Sequence, residues 1–273
     1  MKTHKPKIGI HPKKILVVDV GGTNVKIHVT GYRPWVKIPS GRKMKPSKLV
    51  AEVKAAAMGW KYDVVSIGYP GVVIHGRPTM EPLNLGPGWV HFDFKKAFGK
   101  PVKIVNDAGM QALGSYHGGR MLFLGLGTGL GSALIEDGVL VSMELGHLPY
   151  KRGRTYEDFI GNSGLKKYGK KKWMHRVKSV AERLKNALLA DYVVLGGGNA
   201  RLLKKLPVDM LMGNNLNAFK GGYRLWNRKH LGSRHQTVEA WTILKKAAQA
   251  DAPINLLREK TLKTAKKVGK RKS

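Results

Sequence analysis

The 273-residue chain has no cysteine, few acidic residues and no long apolar run. Without cysteine there is no disulfide framework, no thiolate zinc site and no thiol nucleophile, and a reducing compartment, the cytoplasm, is the expected setting. No stretch reaches the roughly 18 apolar residues that a membrane span needs. Met1–Lys14 carries five lysines and no apolar segment long enough for a signal peptide, so no membrane partner is expected. Only 17 Asp and Glu stand against 50 Lys and Arg, which leaves a formal charge of +33. An excess of that size points to a polyanionic partner: nucleic acid, anionic lipid or a chain of phosphates. Apolar residues still make up 42% of the chain, so it can bury a core and is not a disordered polycation.

Both ends of the chain and its middle are basic. Residues 228–273 hold 13 Lys and Arg against three acids, and residues 1–227 hold 37 against 14. The tail opens with Arg228, Lys229, His230, Gly232, Ser233 and Arg234, then offers an amphipathic helix with Val238, Trp241, Leu244 and Ala248. It ends in Lys-Lys-Val-Gly-Lys-Arg-Lys-Ser, whose self-repulsion favours disorder. Ahead of the tail, short apolar runs alternate with helical patterns, the mark of parallel strands joined by crossover helices. Ile15–Val18, Val64–Ile67, Val102–Val105, Met121–Leu124 and Tyr192–Leu195 read as buried strands. Ser47 is placed to cap a helix with Leu49, Val50, Val53, Ala56 and Ala57 on one face, closed by Gly59. A second helix is expected through Val177, Val180, Ala181, Leu184, Ala187 and Leu188. Two hairpins frame these: Ile15–Asp19 with Val25–Thr30 across Gly-Gly-Thr-Asn, and Ser132–Glu136 with Val139–Ser142 across Asp137-Gly138. Asp-Gly accepts positive φ at both turn positions. The halves echo each other, each with an apolar strand, a glycine-rich turn bearing Thr, a returning strand, then helix and strand. The expected fold is therefore a duplicated α/β architecture with an interlobe cleft. Its expected divisions are a basic extension 1–13, an N-terminal lobe 14–115, a C-terminal lobe 116–227 and a basic extension 228–273.

The first turn reads Asp19-Val20-Gly21-Gly22-Thr23-Asn24-Val25-Lys26, and the second Gly125-Leu126-Gly127-Thr128-Gly129-Leu130-Gly131. Neither has the spacing of a Walker loop or of a dinucleotide fingerprint. Facing each other, Gly21, Gly22 and Thr23 with Gly127, Thr128 and Gly129 would suit a phosphate chain, because backbone N–H groups can approach anionic oxygens closely. Turns that need glycine for geometry alone would read the same. Asp19 closes a strand, where it could hold Mg2+ directly or through water, and Lys26 could neutralise a phosphate. Asn106-Asp107 follows the strand Val102–Val105, at the end where open α/β sheets bind ligands. Asp107 is the candidate catalytic base, since an acceptor hydroxyl needs a positioned carboxylate to take its proton; an Asn-Asp pair there also makes a helix cap. Glu144, His147 and Glu157 follow the second hairpin and suit a sugar's hydroxyls, though each type also serves as a surface or capping group. Lys151–Lys185 holds 12 basic residues and three acids. It reads as a solvated face, as a groove for a polyanion, or, with Tyr150, Tyr156, Tyr168 and Trp173 interleaved, as a nucleic-acid surface.

Together these motifs resemble the ROK sugar kinases, and within them the polyphosphate-using glucokinases, over roughly residues 14–227. Asp19-Val-Gly-Gly-Thr23 resembles the family's first phosphate loop, Gly68-Tyr-Pro-Gly71 its Pro-Gly turn, and Leu126-Gly-Thr-Gly-Leu-Gly131 its second phosphate loop. The resemblance implies sugar-binding roles for Asn84, Asn106, Asp107, Glu144, His147 and Glu157, and places Gly196, Gly197 and Gly198 near a nucleotide base. It implies the actin/hexokinase-like, ribonuclease H-like fold, Mg2+ as cofactor and a homodimer. Many members follow the His with a zinc-binding cysteine cluster; with no cysteine, no structural zinc is expected. The N-terminal extension is too short for the DNA-binding helices of the family's repressors, and the tail matches nothing in the family pattern.

The resulting expectation is a kinase that transfers a phosphoryl group to the 6-hydroxyl of glucose from inorganic polyphosphate, with ATP as a second donor. Polyphosphate is favoured because it carries about one charge per phosphate and releases counterions from a basic groove much as DNA does. The alternatives are an ATP-dependent ROK hexose kinase, and a non-catalytic sugar sensor or polyanion-binding protein on the same fold, with nucleic acid ranked below polyphosphate.

Overall fold

A computed structural model of the chain describes residues 13–32, 34–214 and 216–226, all within one compact unit. The expectations for the tail 228–273, and for nearly all of the extension 1–13, fall outside the described residues. The first half runs β1 (Ile15–Val20), β2 (Asn24–Val29), β3 (Val36–Pro39), α1 (Pro46–Ala56), β4 (Val64–Tyr69), the short pair β5 (Val73–Ile74) and β6 (Arg77–Pro78), α2 (Phe94–Phe98), β7 (Val102–Asn106) and α3 (Asp107–Ser115). The second runs β8 (Arg120–Leu126), β9 (Leu130–Glu136), β10 (Val139–Met143), β11 (Pro149–Lys151), β12 (Arg154–Thr155), α4 (Tyr156–Ile160), α5 (Asn162–Ala187), β13 (Tyr192–Gly196), β14 (Met210–Met212) and α6 (Asn217–Arg224).

The two five-stranded sheets repeat one plan, β3-β2-β1-β4-β7 and β10-β9-β8-β13-β14. In each, three antiparallel strands are followed by two that continue in parallel. All five strands expected from apolar runs are present. Both expected hairpins form, with Val20 opposite Val25 and Glu136 opposite Val139. Asp137 and Gly138 both take positive φ, 50° and 79°, so their tight turn matches the twist of the flanking strands.

Strand parity decides which helix each side of a sheet meets. On β1, Leu16, Val18 and Val20 pack with Leu49, Val50 and Val53 of α1. Ile15 and Val17 pack on the other side with Met110 of α3 and Phe219 of α6. Asp19 shares the parity of Ile15 and Val17, so its carboxylate is on the α3 side. On β8, Leu122, Leu124 and Leu126 face α5, while Met121 and Phe123 face α3. The helix α3 thus serves both sheets. It also touches α6, which packs on β1 and β4 although it follows the second sheet in sequence. Gly114 and Gly221 allow that contact: a Cβ would lie 1.8 Å from Asn217 O at the first and 1.7 Å from Met110 O at the second.

Two local expectations need correction. Ser47 is not a cap. The helix α1 starts two residues earlier than a Ser47 cap implies, at Pro46, with Lys45 in the cap position and no side-chain cap bond, because proline's fixed φ suits the first helical residue and its missing N–H needs no partner there. The second expected helix is much longer than its apolar stripe, beginning at Asn162 and broken at Gly169 (φ 72°, ψ 161°). Its lysine-rich front has few apolar residues to reveal the period.

Candidate active site

The first glycine turn spans β1 and β2 and is tied down on its flank. Gly21 N donates to Asn24 O (3.1 Å), Ser40 Oγ donates to Gly21 O (2.6 Å), and Ser40 N donates to Thr23 O (2.9 Å). Thr23 itself is exposed. Asn84 lies beside this turn, since a Cβ on Gly22 would sit 2.9 Å from the Asn84 Cβ. Its loop is anchored by Glu81, whose carboxylate accepts from the N–H groups of Gly88, Trp89 and Val90. Lys26 stands opposite Asp19 in the β1–β2 ladder, and its Nζ is 3.6 Å from Asp19 Oδ2.

The second glycine turn follows β8. Gly127 N donates to Gly129 O (3.1 Å), and Thr128 O accepts from Asn162 N at the start of α5 (3.2 Å). The glycines 196–198 end the neighbouring parallel strand β13, so the two glycine segments stand side by side, with Gly196 opposite Gly125. Asn199 joins them, donating from its N–H to Leu126 O (3.0 Å) and from Nδ2 to Gly127 O (3.3 Å). Thr128 and Gly198 are exposed. Ser40, Glu81 and Asn199 were missed by sequence reasoning. The signal for Ser40 and Asn199 was weak, a lone hydrogen-bonding residue next to a glycine.

Between the turns stands the N-terminus of α3. Asn106 caps it, Oδ1 accepting from Ala108 N (2.9 Å) and Gly109 N (3.3 Å), and its Nδ2 donates to Gly71 O (3.0 Å) in the Gly68–Gly71 turn. The capping alternative for the Asn-Asp pair therefore holds for Asn106. Asp107 is the first helical residue. On one side its Cα is 3.6 Å from where a Cβ on Gly68 of β4 would be, and on the other a Cβ on Gly131 of β9 would be 2.8 Å from the Ala108 Cβ. The start of α3 is thus wedged between the two sheets.

The electrostatics follow from that position. Burial pushes the Asp107 carboxyl up to about 7, and Asp19 from one sheet and Glu144 from the other add to the rise against the hydrogen bond from Ala108 N. Asp19 is buried and raised for the same first reason, partly offset by Lys26. Glu144 is raised by partial burial, with His147 opposing and Glu157 reinforcing. Glu157, in α4, accepts from Leu130 N through Oε2 (3.0 Å) and lies against Gly129, where a Cβ would be 2.2 Å from that oxygen. His147 and Asn84 are exposed. Asp19, Asp107, Glu144, His147 and Glu157 therefore form one electrostatically linked set, with a glycine turn at each end.

A buried carboxylate whose charge is only partly offset by a single lysine suits Mg2+, which takes one or two carboxylates and completes its shell with water and substrate phosphates. Asp19 fits that description. Among the described residues no three His, Asp or Glu side chains converge as a metal cluster, and no helix is long and apolar enough to cross a membrane. A surface cavity of about 450 Å3 between Asp93 and Pro101 lies at the opposite end of β7 from Asp107.

Of the interleaved aromatics, Trp173 is fully buried and donates from Nε1 to Ile160 O (2.9 Å). It cannot stack on a base. Tyr150, Tyr156 and Tyr168 are stacked on one another or on Phe159.

No family model matches the sequence. The polyphosphate glucokinase of Mycobacterium tuberculosis is 29% identical over 214 residues, which cover 69% of this chain and 78% of that protein. A glucokinase from Pyrobaculum calidifontis is 28% identical over 195 residues, 58% of this chain and 56% of that one. Among solved structures, the inorganic polyphosphate/ATP-glucomannokinase from Arthrobacter sp. strain KM superposes with a TM-score of 0.67 at 22% identity, covering 77% of this chain and 97% of its own. A ROK family glucokinase from Streptomyces griseus, solved with glucose and AMPPNP, gives 0.62 at 18% identity, covering 78% and 98%. These structures share the two-lobe α/β fold.

Proposed function

We propose that this chain, which stands with the ROK sugar kinases and beside their polyphosphate glucokinases, transfers a phosphoryl group to the 6-hydroxyl of glucose from inorganic polyphosphate, with ATP as a second donor. The observation that carries the reading is Asp107, wedged between two sheets with a carboxyl pushed up to about 7 and a glycine turn on either side. A base works best when its proton affinity lies near the working pH, and that is where burial and two neighbouring carboxylates put Asp107.

In this reading Asp107 accepts the 6-hydroxyl proton as the oxygen attacks the terminal phosphorus of the donor, and the bridging P–O bond to the next phosphate breaks so that the chain shortened by one phosphate, or ADP, leaves. Asn84, Asn106, Glu144, His147 and Glu157 hold the other hydroxyls. Asn106 has most of its amide engaged in the cap and the Gly71 bond, so its larger part is to fix Asp107. Glu157 gives one oxygen to Leu130 N and so couples the sugar side to the second glycine turn. Backbone N–H groups at Gly22 and Thr23, and at Thr128 and Gly129, stabilise charge on the transferred group, while Gly21 and Gly127 shape the two turns through their own N–H bonds to Asn24 O and Gly129 O, with Lys26 behind the first turn. Of the glycines 196–198, Gly198 is exposed and would face a nucleotide base when ATP is the donor, while the buried Gly196 and half-buried Gly197 let β13 pass close to Phe123 and Leu126. Mg2+ held by Asp19 would draw off charge from the phosphate oxygens. The +33 charge favours the longer polyanion as donor. A homodimer in the cytoplasm completes the reading.

The test is a coupled assay for glucose 6-phosphate with polyphosphate or ATP as donor, on wild type and Asp107→Asn. Turnover with either donor that the variant loses supports the reading. A protein that binds glucose or polyphosphate but gives no product with either donor defeats it.

A further inference from the structure

The second lobe carries fixed positive charge that the transfer chemistry leaves unused. Four rings form a continuous ladder from the β11–β12 hairpin through α4 to α5. Tyr150 stacks on Tyr156 (4.7 Å between centroids) and meets Phe159 edge-on (5.2 Å), and Phe159 stacks on Tyr168 (5.7 Å, 6° between planes). Cations sit along it: Lys151 over Tyr150 (5.1 Å), Lys167 over Tyr168 (5.6 Å), and Arg176 over Tyr168 (3.6 Å) and Phe159 (5.2 Å). A ring face attracts a cation without cancelling its charge, so the ladder orders these groups and leaves them positive. Helical spacing extends the row, because Lys172, Arg176 and Arg183 share one side of α5. The acids nearby are few. Asp158 is held by Thr155 and lies within reach of Arg154 and Lys167, Glu157 is turned to Leu130, and Glu182 is on α5 itself.

The row starts at the second glycine turn, where Asn162 N meets Thr128 O. Beyond the break at Gly169 the helix is continuous, and at about 1.5 Å per residue Arg183 stands roughly 16 Å further along it than Lys172. A donor held at the glycine turns by its terminal phosphates would have to be a long chain to reach that far, and ATP is not. Nucleic acid fits less well. Its strong anchors on such a surface are open rings for base stacking, whereas these rings cover one another and Trp173 is buried.

We propose that Lys151, Lys167, Lys172, Arg176 and Arg183 form a docking track for the part of a long polyphosphate chain that lies beyond the transferred phosphates. The track takes its starting point from the kinase reading above. It makes donor length, rather than the terminal phosphates alone, a determinant of affinity.

The test compares equilibrium binding of fluorescently labelled long-chain polyphosphate with that of tripolyphosphate across a salt series. A track variant combines Lys151→Gln, Lys167→Gln, Lys172→Gln and Arg183→Gln, and leaves Arg176 in place because it is packed between rings. A control variant removes the same charge from the first lobe through Lys54→Gln, Lys61→Gln, Lys96→Gln and Lys100→Gln. Circular-dichroism melts verify that both fold. The track variant is expected to lose about tenfold or more in long-chain affinity, with a salt slope shallower by about three, since each neutralised phosphate contributes roughly 0.7. Its tripolyphosphate affinity should match wild type, and the control should match wild type with both probes. Equal losses in the two variants, or none in the track variant, overturn the proposal. So does a single-stranded DNA of similar length that binds as tightly and loses as much, which would make the surface a generic polyanion site. Sugar phosphorylation by wild type is read separately: if it is absent while the binding pattern holds, the kinase reading fails and the track stands.

Discussion

Asp107 binds its proton more tightly in the folded chain than in the unfolded one, and two consequences can be measured. The first concerns catalysis. The ionised form is the base, so kcat/KM for glucose should rise with pH through about 7 and then level, as set by burial first and Asp19 and Glu144 after it. Asp107→Asn should lower kcat by about 100- to 10,000-fold, the usual worth of a positioned base, while polyphosphate binding persists. The second concerns stability. The folded value lies near 7 against an ordinary 3.8, so between those values the native state holds more protons and stability falls as pH rises. Asparagine carries no such charge. The variant should therefore melt about 2–6 °C above wild type at pH 8, with the gap closing by pH 4. A gap that does not change with pH would mean that the carboxyl is not destabilised by its surroundings.

At the scale of elements, α3 matters most because it touches both sheets and α6 at once. Gly221 lies where any side chain meets the backbone of Met110. Gly221→Ala should cost about 1–3 kcal/mol by overpacking, and because the displaced helix carries Asp107 at its start, kcat should fall with it. Gly138→Ala is the matched control. It strains a positive-φ turn (79°) whose N–H donates to Tyr116, past the opposite end of α3 from Asp107, so it should cost about 1 kcal/mol and leave kcat near wild type. Chemical melts and steady-state kinetics on the two variants separate fold strain from misplacement of the base; equal kinetic losses in both would count against α3 as the positioning element. The same helix marks a limit of sequence reading. By spacing the Asn106-Asp107 pair reads first as a helix cap, and only the family resemblance makes Asn106 a sugar ligand; which residue of the pair makes the cap was visible only once the N–H groups of Ala108 and Gly109 had been placed.

For the whole molecule, charge sets the salt response. Turnover with polyphosphate should weaken steeply as salt rises, and turnover with ATP much less, because the number of released counterions scales with the phosphates contacted. Removing residues 228–273 takes away 13 Lys and Arg and three acids and leaves the described site intact. The shortened chain is expected to keep most of its ATP-supported turnover and to show a shallower polyphosphate salt slope, measured in the same assay. Loss of ATP-supported turnover would place the tail in the catalytic machinery.

Some of this was determined by local sequence alone. Apolar runs specify buried strands, Asp-Gly specifies a tight turn, and the repeated order of strand, glycine turn and returning strand marks the duplication, because backbone conformation depends on near neighbours. The length of α5 was not legible, since a lysine-rich stretch carries no apolar period, and Ser47 lost the cap to Pro46 and Lys45. The raised proton affinity of Asp107 came only with the tertiary structure. Asp19, Asp107 and Glu144 are far apart in the chain, and a carboxyl's proton affinity depends on how much water is removed and on which charges stand close by, which the folding of two sheets around one helix decides.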